Sequence, residues 1–184
     1  MPIPVFEYCV TVQPSDIDEM NHANNVCYVR WMQEAAIAHS TYNGWSTPRY
    51  LESGFAWVAR RHTIEYLQPA LVGDKLIVQT WVADFKRVTS RRKYRFLRKS
   101  DLIGMDTKIE SDSNRIGHED RCSLTFDRSL PAGSFVRGNR VIAVAETHWA
   151  FLSIKHRRPV KIPPEVADCF LPVGEEPTQS MLQS

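Results

Sequence analysis

From Asn25 to about Tyr42, Tyr28, Trp31, Met32, Ala35, Ala36 and His39 recur at steps of three and four, while Arg30, Gln33 and Glu34 take the other side. That period predicts a helix with one buried face. The stretches around it alternate instead. Phe6, Tyr8, Val10 and Val12 share one face of a strand over residues 6–12, with Glu7, Cys9 and Thr11 opposite. Further strands are predicted over 55–67, 75–85, 90–98 and 140–154. Leu76, Val78, Thr80 and Val82 form one face of the second of these, and Arg92, Tyr94 and Phe96 one face of the third. Gly73-Asp74 and Arg87-Val88-Thr89 are the predicted connections. One helix with an apolar stripe and several half-buried strands have one economical arrangement. An antiparallel sheet curls around the helix, giving a single α+β domain, and the length of 184 residues suits one core.

Asn24 is placed to cap the helix, and Asn43-Gly44 to end it, because glycine accepts the left-handed conformation required there. Arg30 and Glu34 are an i, i+4 pair. Between about 100 and 139 the pattern loosens, punctuated by Gly104, Gly117 and Gly133, which predicts an insertion between the last two main strands. Within it, Cys122, Leu124 and Phe126 alternate as an extra strand would. The tail from about 172, with Gly174, Glu175, Glu176 and Pro177, is expected to lack fixed structure. No internal repeat is visible.

No apolar run approaches the roughly 18 residues needed to span a bilayer. Met1-Pro2-Ile3-Pro4 lacks the basic region and apolar block of a secretory signal, so the expected setting is cytoplasmic, without a membrane partner. Cys9, Cys27, Cys122 and Cys169 include no C-x-x-C pair, which leaves zinc and thioredoxin-like chemistry unsupported; buried free thiols and no metal are expected. A net charge of +2 argues against a nucleic-acid partner. Locally, Arg91, Arg92, Lys93, Arg95, Arg98 and Lys99 crowd together, either to hold phosphates or as the solvated face of an edge strand.

The chemistry concentrates in Asp16-Ile17-Asp18-Glu19-Met20-Asn21-His22-Ala23-Asn24-Asn25, at the entrance to the helix. The first amides of a helix have no internal partner, and its dipole favours negative charge there. An amide near Asn25 is thus placed to hold a developing oxyanion, with a carboxylate a few residues upstream as base or nucleophile. The competing reading is a carboxylate that merely satisfies amides beside Asn24. His62 reads as a hydrogen-bonded structural histidine and Cys27 as an inert core thiol. Tyr28, Trp31 and Met32 read as the face buried against the sheet.

The pattern D-x-D-x-x-x-H-x-N-N-x-x-Y, completed by Tyr28 and followed by Val29-Arg30-Trp31, resembles the 4-hydroxybenzoyl-CoA thioesterase family of hotdog proteins. It is similar to the related acyl-acyl-carrier-protein thioesterases as well. The resemblance continues through His62-Thr63-Ile64-Glu65-Tyr66-Leu67-Gln68-Pro69-Ala70 and Gly73-Asp74-Lys75-Leu76, and resumes at Ala145-Glu146-Thr147 and Arg158-Pro159-Val160-Lys161-Ile162-Pro163. It covers residues 6–98 and 140–163.

The resemblance implies a hotdog fold and hydrolysis of an acyl thioester to free acid and thiol. It implies Asp18, not Asp16, as the catalytic carboxylate and the Asn25 N–H as the oxyanion donor. His22 matches a histidine that takes part in catalysis in the carrier-protein branch. Two departures stand out: Asn21 occupies a position that is glycine in many members, and Met20 one that is asparagine in plant carrier-protein enzymes. The implied leaving group is coenzyme A or a carrier-protein pantetheine arm. Ser90, Arg91 and Arg92 are the candidates for its phosphates, in competition with Arg60-Arg61 and Arg157-Arg158. A homo-oligomer, dimeric or tetrameric, is implied, and no cofactor. The rival readings are a dehydratase or hydratase with His22 as base, and an acyl-CoA-binding module without catalysis.

Overall fold

The computed structural model describes residues 2–99 and 140–182. The insertion expected at about 100–139, with its strand around Cys122 to Phe126, lies outside the described residues. Strands β1 (Val5–Thr11), β2 (Phe55–Tyr66), β3 (Lys75–Phe85), β4 (Thr89–Arg98) and β5 (Arg140–Ser153) form one sheet in the order β1-β3-β4-β5-β2, and β6 (Arg158–Pro159) pairs with β5. Every pairing is antiparallel. The helices are α1 (Asn25–Tyr42), α2 (Thr47–Glu52) and α3 (Pro164–Ala167).

Helix α1 buries Tyr28, Trp31, Met32, Ala35 and Ala36 against Leu76 and Val78 of β3, Tyr94 and Phe96 of β4, and Ile142, Ala143 and Ala145 of β5. The small residues Ala35 and Ala36 let the sheet approach the helix closely, while Tyr28 meets Phe96 edge-on at 5.2 Å between ring centroids. This is the helix-in-sheet hotdog arrangement expected above. The Asn24 side chain caps α1 by accepting from the Val26 N–H at 3.0 Å, and Gly44 follows the helix at φ +86°. A second apolar cluster, with Trp45, Tyr50, Phe151, Ile162 and Val166, sits at the other end of the sheet and fixes α2 and α3.

Two expectations need correction. The arginine-bearing strand is not at an edge: β4 lies between β3 and β5, and the edges are β1 and β2. Alternation explains how so charged a strand is internal. Arg92, Tyr94 and Phe96 point to the core, whereas Arg91, Lys93 and Arg95 point outward. The tail expected to be without structure covers that outer row. Val173 and Gly174 donate to the Val82 and Ala83 carbonyls, Glu175 pairs with Arg91 and Lys93, and Glu176 pairs with Arg95. Lys93, and then Arg91, hold the Glu175 carboxyl down to about 2. Among the described residues no helix is long and apolar enough to cross a membrane.

Candidate active site

The loop before α1 is built from side chain to backbone. Asp16 is only 2% exposed. One carboxylate oxygen accepts from the Gln13 N–H at 2.9 Å; the other accepts from Arg30 Nη2 at 2.6 Å and faces the Cys27 thiol at 3.7 Å. Its carbonyl accepts from the Asn24 N–H at 2.8 Å. Burial pushes the Asp16 carboxyl up, but the Gln13 amide and the Arg30 guanidinium outweigh it and hold the group below the ordinary aspartate value. Burial and the neighbouring Asp16 charge raise the Cys27 thiol, in keeping with an inert core thiol.

Asp18 is half-buried. Its Oδ1 accepts from the Met20 N–H at 2.9 Å and the His22 N–H at 3.3 Å. Its own N–H donates to the His22 carbonyl at 2.8 Å, and its carbonyl accepts from the Asn21 N–H at 3.0 Å. The turn this makes requires a left-handed residue, and Asn21 supplies it at φ 61°. Asparagine tolerates that conformation better than other residues with a Cβ, so the loop closes without the glycine. The result is a carboxylate with one oxygen clamped by two amides; Oδ2 has no partner among the described residues.

The Ala23 N–H anchors the loop to the Ala70 carbonyl at 2.9 Å, and the Tyr66 hydroxyl donates to the Asn25 carbonyl at 3.4 Å. Asn25 is the first residue of α1. Its N–H has no acceptor among the described residues, while the next two amides are taken by the Asn24 side chain and carbonyl. Asp18, His22 and Asn25 therefore share one loop-and-helix junction. The His22 backbone is fixed on both sides by Asp18, and the residue is half-buried.

The phosphate candidates do not stay together. Ser90 is buried and donates to the Asp84 carbonyl at 2.9 Å. Arg91, on the outer face, already pairs with Asp84 at 2.6 Å, Glu146 at 3.4 Å and Glu175 at 2.6 Å. Arg92 is 6% exposed on the inner face and donates to His39 Nδ1 at 2.9 Å and Thr80 Oγ1 at 3.3 Å. These three residues cannot grip one phosphate jointly, because neighbours on a strand project to opposite faces. His62 is hydrogen-bonded to Thr147 at 2.9 Å. Sequence reading missed the amide clamp on Asp18 and the Arg30 brace on Asp16. Asn21, a residue type that tolerates the left-handed conformation, was the one signal of the turn behind the clamp.

The family model described as the thioesterase-like superfamily matches residues 12–170. No curated protein sequence matches the chain. Among solved structures, the 1,4-dihydroxy-2-naphthoyl-CoA thioesterase of Synechocystis superposes with a TM-score of 0.65 at 15% identity, over 90% of this chain and 94% of that one. A gentisyl-coenzyme A thioesterase gives 0.61 at 17% identity, over 89% and 98%. An acyl-ACP thioesterase of Bacteroides thetaiotaomicron gives 0.65 at 18% identity, over 94% of this chain and 54% of that one. The chain belongs to the thioesterase-like superfamily and has its hotdog fold.

Proposed function

We propose that this protein hydrolyses an acyl thioester of coenzyme A or of a carrier protein, with Asp18 as base or nucleophile. The observation that carries the reading is the Asp18 carboxylate, clamped by the Met20 and His22 amides through one oxygen only. It stands at the helix end where the Asn25 N–H lacks an acceptor among the described residues. In the general-base form, Asp18 takes a proton from water as the oxygen adds to the thioester carbonyl. The Asn25 N–H and the α1 dipole stabilise the oxyanion. Collapse breaks the C–S bond, the thiolate leaves and is protonated, and acid and thiol result. In the nucleophilic form, the Asp18 carboxylate displaces the thiolate, and water then cleaves the mixed anhydride. His22 is the second polar group at this junction.

The test is thiol release from a panel of aromatic, short-chain and long-chain acyl-CoA esters, for wild type and Asp18→Asn. Hydrolysis by wild type and its loss in the variant support the reading. Binding without release by both proteins overturns it in favour of a binding module, and water loss from a 3-hydroxyacyl ester that depends on His22 overturns it in favour of a dehydratase.

The phosphate assignment narrows to Arg91, whose guanidinium reaches the surface where Glu175 now lies. Arg91→Ala should raise KM for a coenzyme A ester with kcat little changed, the pattern of lost uniform binding; an unchanged KM would move attention to Arg60 or Arg157. A homodimer joined through β2 also fits this reading. That strand is 12 residues long, lies at the sheet edge and is exposed through most of its length, the kind of edge that pairs with another chain. Sedimentation giving an active monomer at micromolar concentration would refute the dimer.

A further inference from the structure

Toward the far end of α1 from Asp18, a cavity of about 220 Å³ opens between that helix, α2 and the inner face of the sheet. Its α1 wall runs from Gln33 to Ser40, about 12 to 22 Å along the helix from Asn25 at 1.5 Å per residue. Trp57, Phe85 and Phe170 give it an aromatic lining, and Arg92 is its one charged residue among the described lining.

Arg92 and the Tyr50 hydroxyl are the donors here whose hydrogen bonding is incomplete among the described residues. Arg92 spends Nη1 on His39 and Thr80, and no acceptor among the described residues meets Nε or Nη2. No described carboxylate lies within ion-pair reach of it. Burial depresses its pKa, but a guanidinium stays charged. His39 supplies no counter-charge. Burial, then Arg92, brings it down to about 3, so its ring is neutral, with Nδ1 accepting from Arg92 and Nε2 donating to the Ile3 carbonyl at 3.1 Å. The Tyr50 hydroxyl, beside Ser40 and Trp57 and within electrostatic reach of Arg92, has no hydrogen bond of good geometry, while the Trp149 indole N–H lies against the Tyr94 hydroxyl. The described partners of Arg92, namely His39, Thr80 and the Phe170 ring at 5.8 Å, are all neutral, and a buried charge without a counter-charge is costly. A group that only accepts hydrogen bonds and carries negative charge would answer Arg92, and would offer Tyr50 an acceptor.

We propose that this cavity is a second binding site, for a small carboxylate with a compact apolar body, its carboxylate paired with Arg92. The size agrees, since a cavity of about 150 Å³ admits benzene. The site is independent of the hydrolytic reading. Benzoate and its neutral isostere benzamide are the probes, followed by the indole N–H resonances of the five tryptophans. Benzoate should move Trp45, Trp57 and Trp149, which line the cavity, and leave Trp31 and Trp81 in place. Benzamide should bind at least about 10-fold more weakly, since hydrogen bonds to charged groups contribute more than neutral ones. Arg92→Gln should bring benzoate down to the level of benzamide. Tyr50→Phe, which keeps the ring and its packing, should weaken benzoate by a few-fold. Asp18→Asn should leave benzoate binding as it is, whatever it does to hydrolysis. Equal binding of acid and amide, no movement of the three indoles at millimolar benzoate, or retained benzoate affinity in a folded Arg92→Gln protein would each overturn the proposal.

Discussion

Asp16 and Asp18 are two residues apart on one loop and stand in opposite situations. Asp16 is buried and fully engaged, bound by an amide, a guanidinium and a thiol. Asp18 is half-exposed, and one of its oxygens is held while the other has no partner among the described residues. The bland reading of a purely structural carboxylate describes Asp16 in full and Asp18 only by half. A brace and a reactive group can thus be set side by side. The brace fixes the loop through Arg30 and Asn24, and the reactive group inherits a fixed position.

The largest expected effect separates the two by activity. Asp18→Asn should lower thioester hydrolysis by at least about 100-fold, the lower range for a positioned acid–base group. The amide oxygen can still accept from Met20 and His22, so the melting temperature should barely move. A variant that hydrolyses at wild-type rate would remove Asp18 from the chemistry and end the contrast.

Asp16→Asn should do the reverse. It weakens the Arg30 and Gln13 contacts, at a cost of about 1–3 kcal/mol in urea unfolding, towards the lower end because Arg30 is half exposed. Hydrolysis per folded molecule should stay within a few-fold. Loss of activity without loss of stability would mean that the roles are shared.

Acid sharpens the contrast. The folded pKa of Asp16 is depressed, so its contribution is fully present above the unfolded value, about 4, and fades as pH falls through the lower folded value. The stability gap between wild type and Asp16→Asn should therefore be wide at neutral pH and close on acidification. Only the gap isolates Asp16. Neutral, buried His39 makes both proteins lose stability earlier, from about pH 6.5 downward, because the unfolded histidine takes up a proton that the folded one does not. A gap independent of pH would show that the Asp16 charge is not what braces the loop.

The smallest effect tests the turn. Asn21→Gly relieves the left-handed residue but frees the unfolded chain, and should change stability by no more than about 1 kcal/mol, with hydrolysis within about two-fold, since the Asp18 clamp uses backbone amides. A large fall in activity would show that the Asn21 side chain itself belongs to the site.

Much of this was legible in the residues. The span Asn25–Tyr42 is both the predicted helix and α1, because a long periodic stripe and two caps agree. Helix α2 was not foreseen. Six residues around Pro48 are too short to show a period, and Trp45 and Tyr50 find their core through Phe151 and Val166, far along the chain. The internal place of β4 was hidden for a similar reason, since the carboxylates that cover Arg91 and Lys93 come from Glu175 in the tail. The separation of Arg91 from Arg92 was within reach. The alternation that grouped Arg92 with Tyr94 and Phe96 already placed Arg91 on the opposite face. At the loop, the resemblance chose Asp18 over Asp16, but the physical difference between them depends on Arg30, 14 residues along the chain from Asp16.

The acidic tail laid over Arg91, Lys93 and Arg95 makes the outer face of β4 an exchanger. An anion arriving there displaces Glu175 or Glu176 instead of simply adding to a bare cation. Those carboxylates are tethered close by, where Val173 and Gly174 bond to β3, and short tethers give effective concentrations in the millimolar range. Weakly binding anions should therefore compete poorly for this face. For a ligand that does displace the tail, fewer small counterions change hands than three cations would suggest, so its affinity should fall less steeply with added salt.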